Sequence, residues 1–128
     1  MSENYDILVN CTDQLPSPDV FRRVAYIASP YAGETEKNIT NARKYSKLAV
    51  CNGYIPIAPH LLFPQFLNDN NSDERELGLV FALALLTNAD ELWVFGKHRS
   101  EGMKREIKHA EKLGIPIKYW SGETEAGI

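Results

Sequence analysis

Apolar residues fall in two rhythms along this chain, and the alternation between them is the first guide to its fold. Val24-Ala-Tyr-Ile-Ala-Ser-Pro30 is a short apolar run closed by a proline, the pattern of a buried strand. Tyr31-Ala-Gly33 follows as a turn. From Glu36 to Cys51 the residues Ile39, Ala42, Tyr45, Leu48 and Ala49 recur at helical spacing with polar residues between them. Asn52-Gly53 stops that helix with a glycine. Tyr54-Ile-Pro-Ile-Ala58 reads as a second strand, in which Pro56 lacks an amide donor and leaves one ladder bond unmade. A long connection, Pro59 to Asn71, leads to Asp73 and Glu76, spaced as a capping box that opens a helix running to Thr87. Glu91 to Phe95 is a third strand, Ser100 to Leu113 a third helix stopped by Gly114, and Pro116 to Trp120 a fourth strand.

Strands alternating with helices predict an α/β fold in a single domain. The expected form is an open, mainly parallel sheet of four to five strands with helices on both faces, Rossmann-like or flavodoxin-like. Residues 1–20, with Pro16 and Pro18 among Asp, Asn and Ser, read as an N-terminal arm with a short strand at Ile7-Leu8-Val9. Residues 21–120 form the domain, whose compact part begins near Val24, and residues 121–128 read as a polar C-terminal tail. The run Leu77 to Leu86 is apolar around most of a helix, which places it in a core or a subunit interface. A homodimer or higher homo-oligomer through that helix is therefore expected. The run is far too short to cross a bilayer, so no membrane partner is expected.

Composition narrows the function more than it names it. At 128 residues the chain suits one domain with a real core. The formal net charge is −3, with Lys and Arg scattered among acids, which argues against a nucleic-acid partner because no basic stripe is present. Cys11 and Cys51 have no metal-type spacing, so reduced thiols, a cytoplasmic setting and no metal or other cofactor are expected. The N-terminus shows no basic segment followed by an apolar run, so no secretory signal is expected. There is no Walker loop, since Tyr31-Ala-Gly33 lacks a following Lys-Ser/Thr, and no serine nucleophile elbow.

In open α/β sheets, ligands bind beyond the C-terminal ends of the strands. Four groups meet there: Tyr26 to Gly33 (with Ser29 and Tyr31), Pro59-His60, Gly96 to Ser100, and the start of the third helix. Ser100 and Gly102 open that helix, whose first N–H groups have no intrahelical partner and suit an anion. Glu106 lies one turn further on the same face as Gly102, which has no side chain to cover it. A carboxylate uncovered beside an anion cradle is a candidate nucleophile toward a sugar phosphate. Each residue also has a plainer explanation. Glu106 fits a solvated helix face, Ser100 an N-cap, His60 a structural hydrogen-bonding group, Tyr26 a core residue and Asp90 a turn residue holding local amides. His98 and His109 read as surface residues.

Six segments resemble one family. They are Tyr26-Ile-Ala-Ser-Pro-Tyr-Ala-Gly33, Asn41-Ala42, Gly53-Tyr-Ile-Pro-Ile-Ala-Pro-His60, Asp90-Glu-Leu-Trp-Val-Phe-Gly96, Ser100-Glu-Gly-Met-Lys-Arg-Glu106 and Gly114-Ile-Pro-Ile117. Together they resemble the nucleoside 2-deoxyribosyltransferase-like superfamily, in particular a small bacterial and phage branch, over roughly Val24 to Trp120. The Ser-x-Gly-x-x-x-Glu segment is also similar to deoxynucleoside 5′-monophosphate N-glycosidases. The resemblance implies a nucleoside or nucleotide substrate, Glu106 as nucleophile, and Tyr26 as a second catalytic residue close to the sugar and the catalytic carboxylate. It implies Ser100 with the Gly102 and Met103 amides at a phosphate or the sugar 5′ position, and a second subunit completing the site. Ser29, Tyr31, Gly33, His60 and Gly96 are the remaining candidate binding residues. One departure stands out: members that catalyse carry an aspartate on the helix before the third strand, and counting back from Asp90 reaches Phe81. The acid that protonates the leaving base is then missing or supplied elsewhere, with Asp73 and His60 as candidates. This bears on turnover more than on ligand binding, and leaves a non-catalytic nucleotide-binding protein as the alternative.

Overall fold

The computed structural model describes residues 15–120; the expected strand at Ile7-Leu8-Val9 and the tail from Ser121 lie outside the described residues. The element order is β1 (Val24–Ala28), α1 (Thr35–Cys51), β2 (Ile55–Ile57), α2 (Ser72–Thr87), β3 (Glu91–Phe95), α3 (Glu101–Leu113) and β4 (Ile117–Trp120), with short 3-10 turns at Pro18–Val20, Pro59–Leu61 and Phe63–Gln65. The four strands form one parallel sheet in the order β2-β1-β3-β4, with Tyr26 opposite Ile57 on one side and Leu92 on the other. This is a single-domain α/β fold of the Rossmann or flavodoxin type. The chain steps from β1 outward to β2, then returns past β1 to β3 and β4. Because crossovers keep one hand, reversing direction moves the helices to the opposite face.

Both faces are accordingly covered. Ala25, Ile27, Trp93 and Phe95 point to the α1 side, where Tyr45 stacks on Phe95 with ring centroids 4.0 Å apart. Tyr26, Ala28, Leu92 and Val94 point to the other side, under Ala82 and Leu86 of α2 and Met103 and Ala110 of α3. Burial on both faces explains why β1 and β3 read as unbroken apolar runs and not as alternating ones. Pro56 is tolerated because β2 is an edge strand with only one neighbour to pair with. Asp90 takes its turn-residue role across the sheet: its Oδ2 accepts from the Val24 amide at 2.7 Å, tying β1 to β3 at the first residue. Gly114 ends α3 at φ 74°, in the left-handed region where glycine carries no Cβ penalty.

Three expectations change. The N-cap of α2 is Asn71, whose Oδ1 accepts from the Asp73 and Glu74 amides at 3.0 and 3.1 Å, so Asp73 sits inside the first turn and does not cap it. The apolar face of α2 is split: Ala82 and Leu86 enter the core, while Leu77, Val80 and Phe81 lie 47%, 49% and 37% exposed one turn apart. Cys51 is disulfide-bonded where reduced thiols are expected; spacing along a chain does not report which sulfurs meet in space. Among the described residues no helix is long and apolar enough to cross a membrane, and no cluster of His, Cys, Asp and Glu could hold a metal ion.

At the N-terminal ends of the strands, Glu91 is buried but fully engaged. It receives Arg23 at 2.9 Å, Lys118 at 3.2 Å, the Trp93 indole at 2.8 Å and the Tyr54 hydroxyl at 3.0 Å. Burial pushes its carboxyl up, but the hydrogen bonds from Trp93, Tyr54 and Lys118, with the Lys118 charge, outweigh that and hold it below its ordinary value.

Candidate functional site

The opposite end of the sheet is open. Connections from β1 and β3 leave toward opposite faces, and the gap between their C-terminal ends is the crevice this topology always makes. A cavity of about 350 Å³ lies among the loops that follow β1, β2 and β3, within the range of small-molecule sites. One wall is α2, with Arg75, Gly78, Leu79 and Ala82; another is the start of α3, with Ser100, Gly102, Arg105 and Glu106. The mouth carries Tyr31, His60, Phe63, Leu67 and Asp69.

Glu106 sits at the junction of the sheet and α3, only 7% exposed, so the solvated-face explanation does not hold. Its Oε2 accepts a hydrogen bond from the Tyr26 hydroxyl, reaching across from β1, and its Oε1 has no hydrogen-bond partner among the described residues. Burial raises its carboxyl to about 7, against the opposing pull of the Tyr26 hydrogen bond. The Tyr26 phenol is held well above its ordinary value by burial, then by the Glu106 charge and the hydrogen bond it donates to it. Such a carboxylate, poised between its two forms near neutrality, suits proton transfer or nucleophilic attack.

The α3 N-terminus meets the cavity beside it. Ser100 is the N-cap, its Oγ accepting from the Met103 amide at 3.2 Å while its own O–H remains able to donate. A Cβ built on Gly102 would meet nothing closer than 3.9 Å, so packing within the protein does not demand a glycine there. At the mouth, the half-buried His60 stacks on Tyr31 with ring centroids 4.9 Å apart and bonds the Ser29 backbone. Burial lowers the His60 imidazole, against the Ser29 hydrogen bond and the charge of Asp69, which favours the neutral ring.

The structure thus brings Glu106, Ser100, Gly102, Tyr31 and His60 to one cavity. Tyr26 stands behind Glu106 and does not line it. Ser29, Gly33, Gly96 and Met103 do not line it either: Ser29 and Met103 are buried, Gly33 and Gly96 make positive-φ turns, and the Met103 amide is already taken by Ser100. Asp73 does not line the cavity, and Phe81 packs against Phe63 with centroids 5.5 Å apart. Sequence reasoning missed the α2 wall and the Phe63–Asp69 loop. A glycine at position 78, mid-helix in an otherwise strong helix former, was the available signal.

The model of a family described as a domain of unknown function (DUF7768) matches residues 23–120. No curated protein matches the chain. Among solved structures, a 2-deoxyribosyltransferase from the psychrotolerant bacterium Bacillus psychrosaccharolyticus superposes with a TM-score of 0.65 at 20% sequence identity, over 82% of this chain and 76% of that one. That likeness is one of fold.

Proposed function

We propose that this chain, which belongs to the DUF7768 family, acts on the N-glycosidic bond of a nucleoside or nucleotide with Glu106 as nucleophile. The observation that carries the proposal is the Glu106 carboxylate itself: buried, fixed through one oxygen by Tyr26, unpartnered at the other, and lining a cavity at a helix N-terminus. In the first step a Glu106 oxygen bonds the sugar C1′ as the C1′–N bond breaks through an oxocarbenium-like transition state. The base leaves with the bonding electron pair and takes up a proton from solvent, which the attacking water or acceptor base gives back in the second step. In the second step water or an acceptor base attacks C1′ and frees the carboxylate. Tyr26 is a positioning residue, holding the attacking group from behind. The Ser100 hydroxyl and the first amides of α3 receive the sugar 5′ hydroxyl or a phosphate on it. The fold shared with a 2-deoxyribosyltransferase is consistent with a nucleoside substrate.

The test is base release or base exchange over a panel of nucleosides, deoxynucleosides and their 5′-monophosphates. Glu106→Ala is expected to abolish it; an unchanged rate removes the mechanism. The α2 wall favours a second reading. The one acid it brings to the cavity, Glu74, already accepts from the Asn68 amide at 2.9 Å, and Phe81, packed on Phe63, stands where a proton donor to the base is expected, which suits a protein that holds a nucleotide without cleaving it. Thermal stabilisation by a nucleotide that is recovered intact after hours supports that reading instead. We also propose a homo-oligomer through the exposed Leu77, Val80 and Phe81 face of α2, for which sedimentation of Val80→Asp beside the unmodified chain is the check.

A further inference from the structure

Three carboxylates besides Glu106 line the cavity: Asp69, Glu74 and Glu101. Glu74 accepts from the Asn68 amide at 2.9 Å, and Glu101 pairs with Lys104 at 3.2 Å. No hydrogen bond or ion pair among the described residues engages the Asp69 carboxylate, which is exposed at the mouth on the loop before α2. Its charge is nevertheless felt by two rings. The Tyr31 phenol is raised by burial and then by Asp69, and at His60 the same charge opposes the effect of burial. Those rings stack at an interplanar angle of 25°, so a flat aromatic surface and one uncommitted carboxylate share the cavity mouth.

We propose that Tyr31, His60 and Asp69 form a subsite for the leaving heterocycle, in which Asp69 selects bases that carry an exocyclic amino group. This rests on the N-glycosidic reading and deepens it. A planar base extends the Tyr31–His60 stack face to face in an offset arrangement. An ionised carboxylate only accepts hydrogen bonds. The His60 ring, with one nitrogen bonded to the Ser29 backbone, presents a second acceptor when neutral. The Asp69–His60 side of the mouth presents two acceptors, which welcome an amino group and repel an oxo group at the same position, acceptor against acceptor. Adenine and cytosine are therefore favoured over hypoxanthine and uracil, which carry an oxo group in place of the amino group and a proton on the neighbouring ring nitrogen.

Free bases test this without any bond to cleave. Calorimetric titration of the full chain with adenine, hypoxanthine, cytosine and uracil should show each amino base bound roughly 10-fold or more tightly than its oxo counterpart, the scale of one hydrogen bond to a charged group. Asp69→Asn, whose amide also donates, should shrink or reverse that ratio, and Asp69→Ala should erase it. An unchanged ratio in Asp69→Asn overturns the proposal. So does cleavage of nucleosides without regard to the amino group, an outcome that leaves the N-glycosidic reading standing. If no base binds and no nucleoside is cleaved, that reading falls and this inference falls with it.

Discussion

Glu106→Gln should make the protein more stable at neutral pH, and by an amount that grows with pH. The substitution keeps the shape of the side chain and leaves Tyr26 an oxygen to donate to, but removes the charge. In the native state burial raises the Glu106 carboxyl from 4.5 to about 7. A raised acid binds its proton more tightly when folded, so its contribution to stability is complete below 4.5 and is lost as pH climbs through 7. The shift corresponds to about 3 kcal/mol by linkage, a sizeable part of the stability of a small domain. Urea unfolding followed by Trp93 and Trp120 fluorescence measures both proteins across this range. The difference between variant and unmodified chain should be near zero at about pH 4.5 and rise toward about 3 kcal/mol by about pH 8. Glu91 titrates the other way, its lowered carboxyl adding stability that disappears as pH falls, but it does so in both proteins and cancels in the difference. A difference independent of pH refutes the reasoning, because it means that Glu106 is not desolvated. The variant should also be inactive, the usual cost of relieving a strained functional group.

Base release, if Glu106 attacks as the carboxylate, should rise with pH through about 7 and level off above it; a pH–rate profile flat across that range counts against attack by this group. Gly102→Ala should cost no stability and gain up to about 1 kcal/mol of helix propensity, since its Cβ meets only ordinary contacts, while weakening nucleotide binding in a thermal-shift titration. Glu91→Ala should destabilise by about 1–3 kcal/mol in urea unfolding, because it leaves the Trp93 and Tyr54 donors unpaired and removes the partner of Lys118 and Arg23 at the sheet end. Ser100→Ala should cost about 1 kcal/mol through the lost cap, with a further loss of affinity for 5′-phosphorylated ligands beyond that seen for unphosphorylated ones.

The sheet was legible in the sequence because its determinants are local. Glu91 to Phe95 and Val24 to Ala28 are apolar runs bounded by Asp90, Gly96 and Pro30, and a fully covered strand leaves that mark whatever surrounds it. The α3 N-terminus was legible for the same reason, since Ser100, Gly102 and Glu106 stand in one helix and share a face by spacing alone. The α2 wall was not. Its apolar residues run almost all the way round, and only tertiary packing decides that Ala82 faces the sheet, Leu79 the cavity, and Val80 the solvent. Asp69 was hidden for a further reason: its loop passes through two 3-10 turns before α2, and no periodicity links such a segment to a pocket. The Tyr26–Glu106 hydrogen bond joins residues 80 apart, a separation at which spacing rules are silent and only the family resemblance brought the two together.

Glu91 and Glu106 make the deeper point, because the chain buries both carboxylates on one sheet-centred core and treats them in opposite ways. Glu91 is surrounded by four donors, two of them charged, and its carboxyl is pulled below the ordinary value; the group is spent on holding the strand ends together. Among the described residues Glu106 has one donor and one oxygen without a partner, and its carboxyl is pushed up. Two further local costs face the same cavity. Gly78 and Gly102 each forgo helix propensity worth up to about 1 kcal/mol, although a Cβ at either would meet nothing closer than 3.7 Å. A sequence selected for stability alone would have put alanine at both and an amide at 106. Departures from local consistency that converge on one cavity are the physical mark of a site kept for a ligand. The departure at 106, a carboxylate held on one side and without a hydrogen-bond partner among the described residues on the other, is what the proposed attack on C1′ would use.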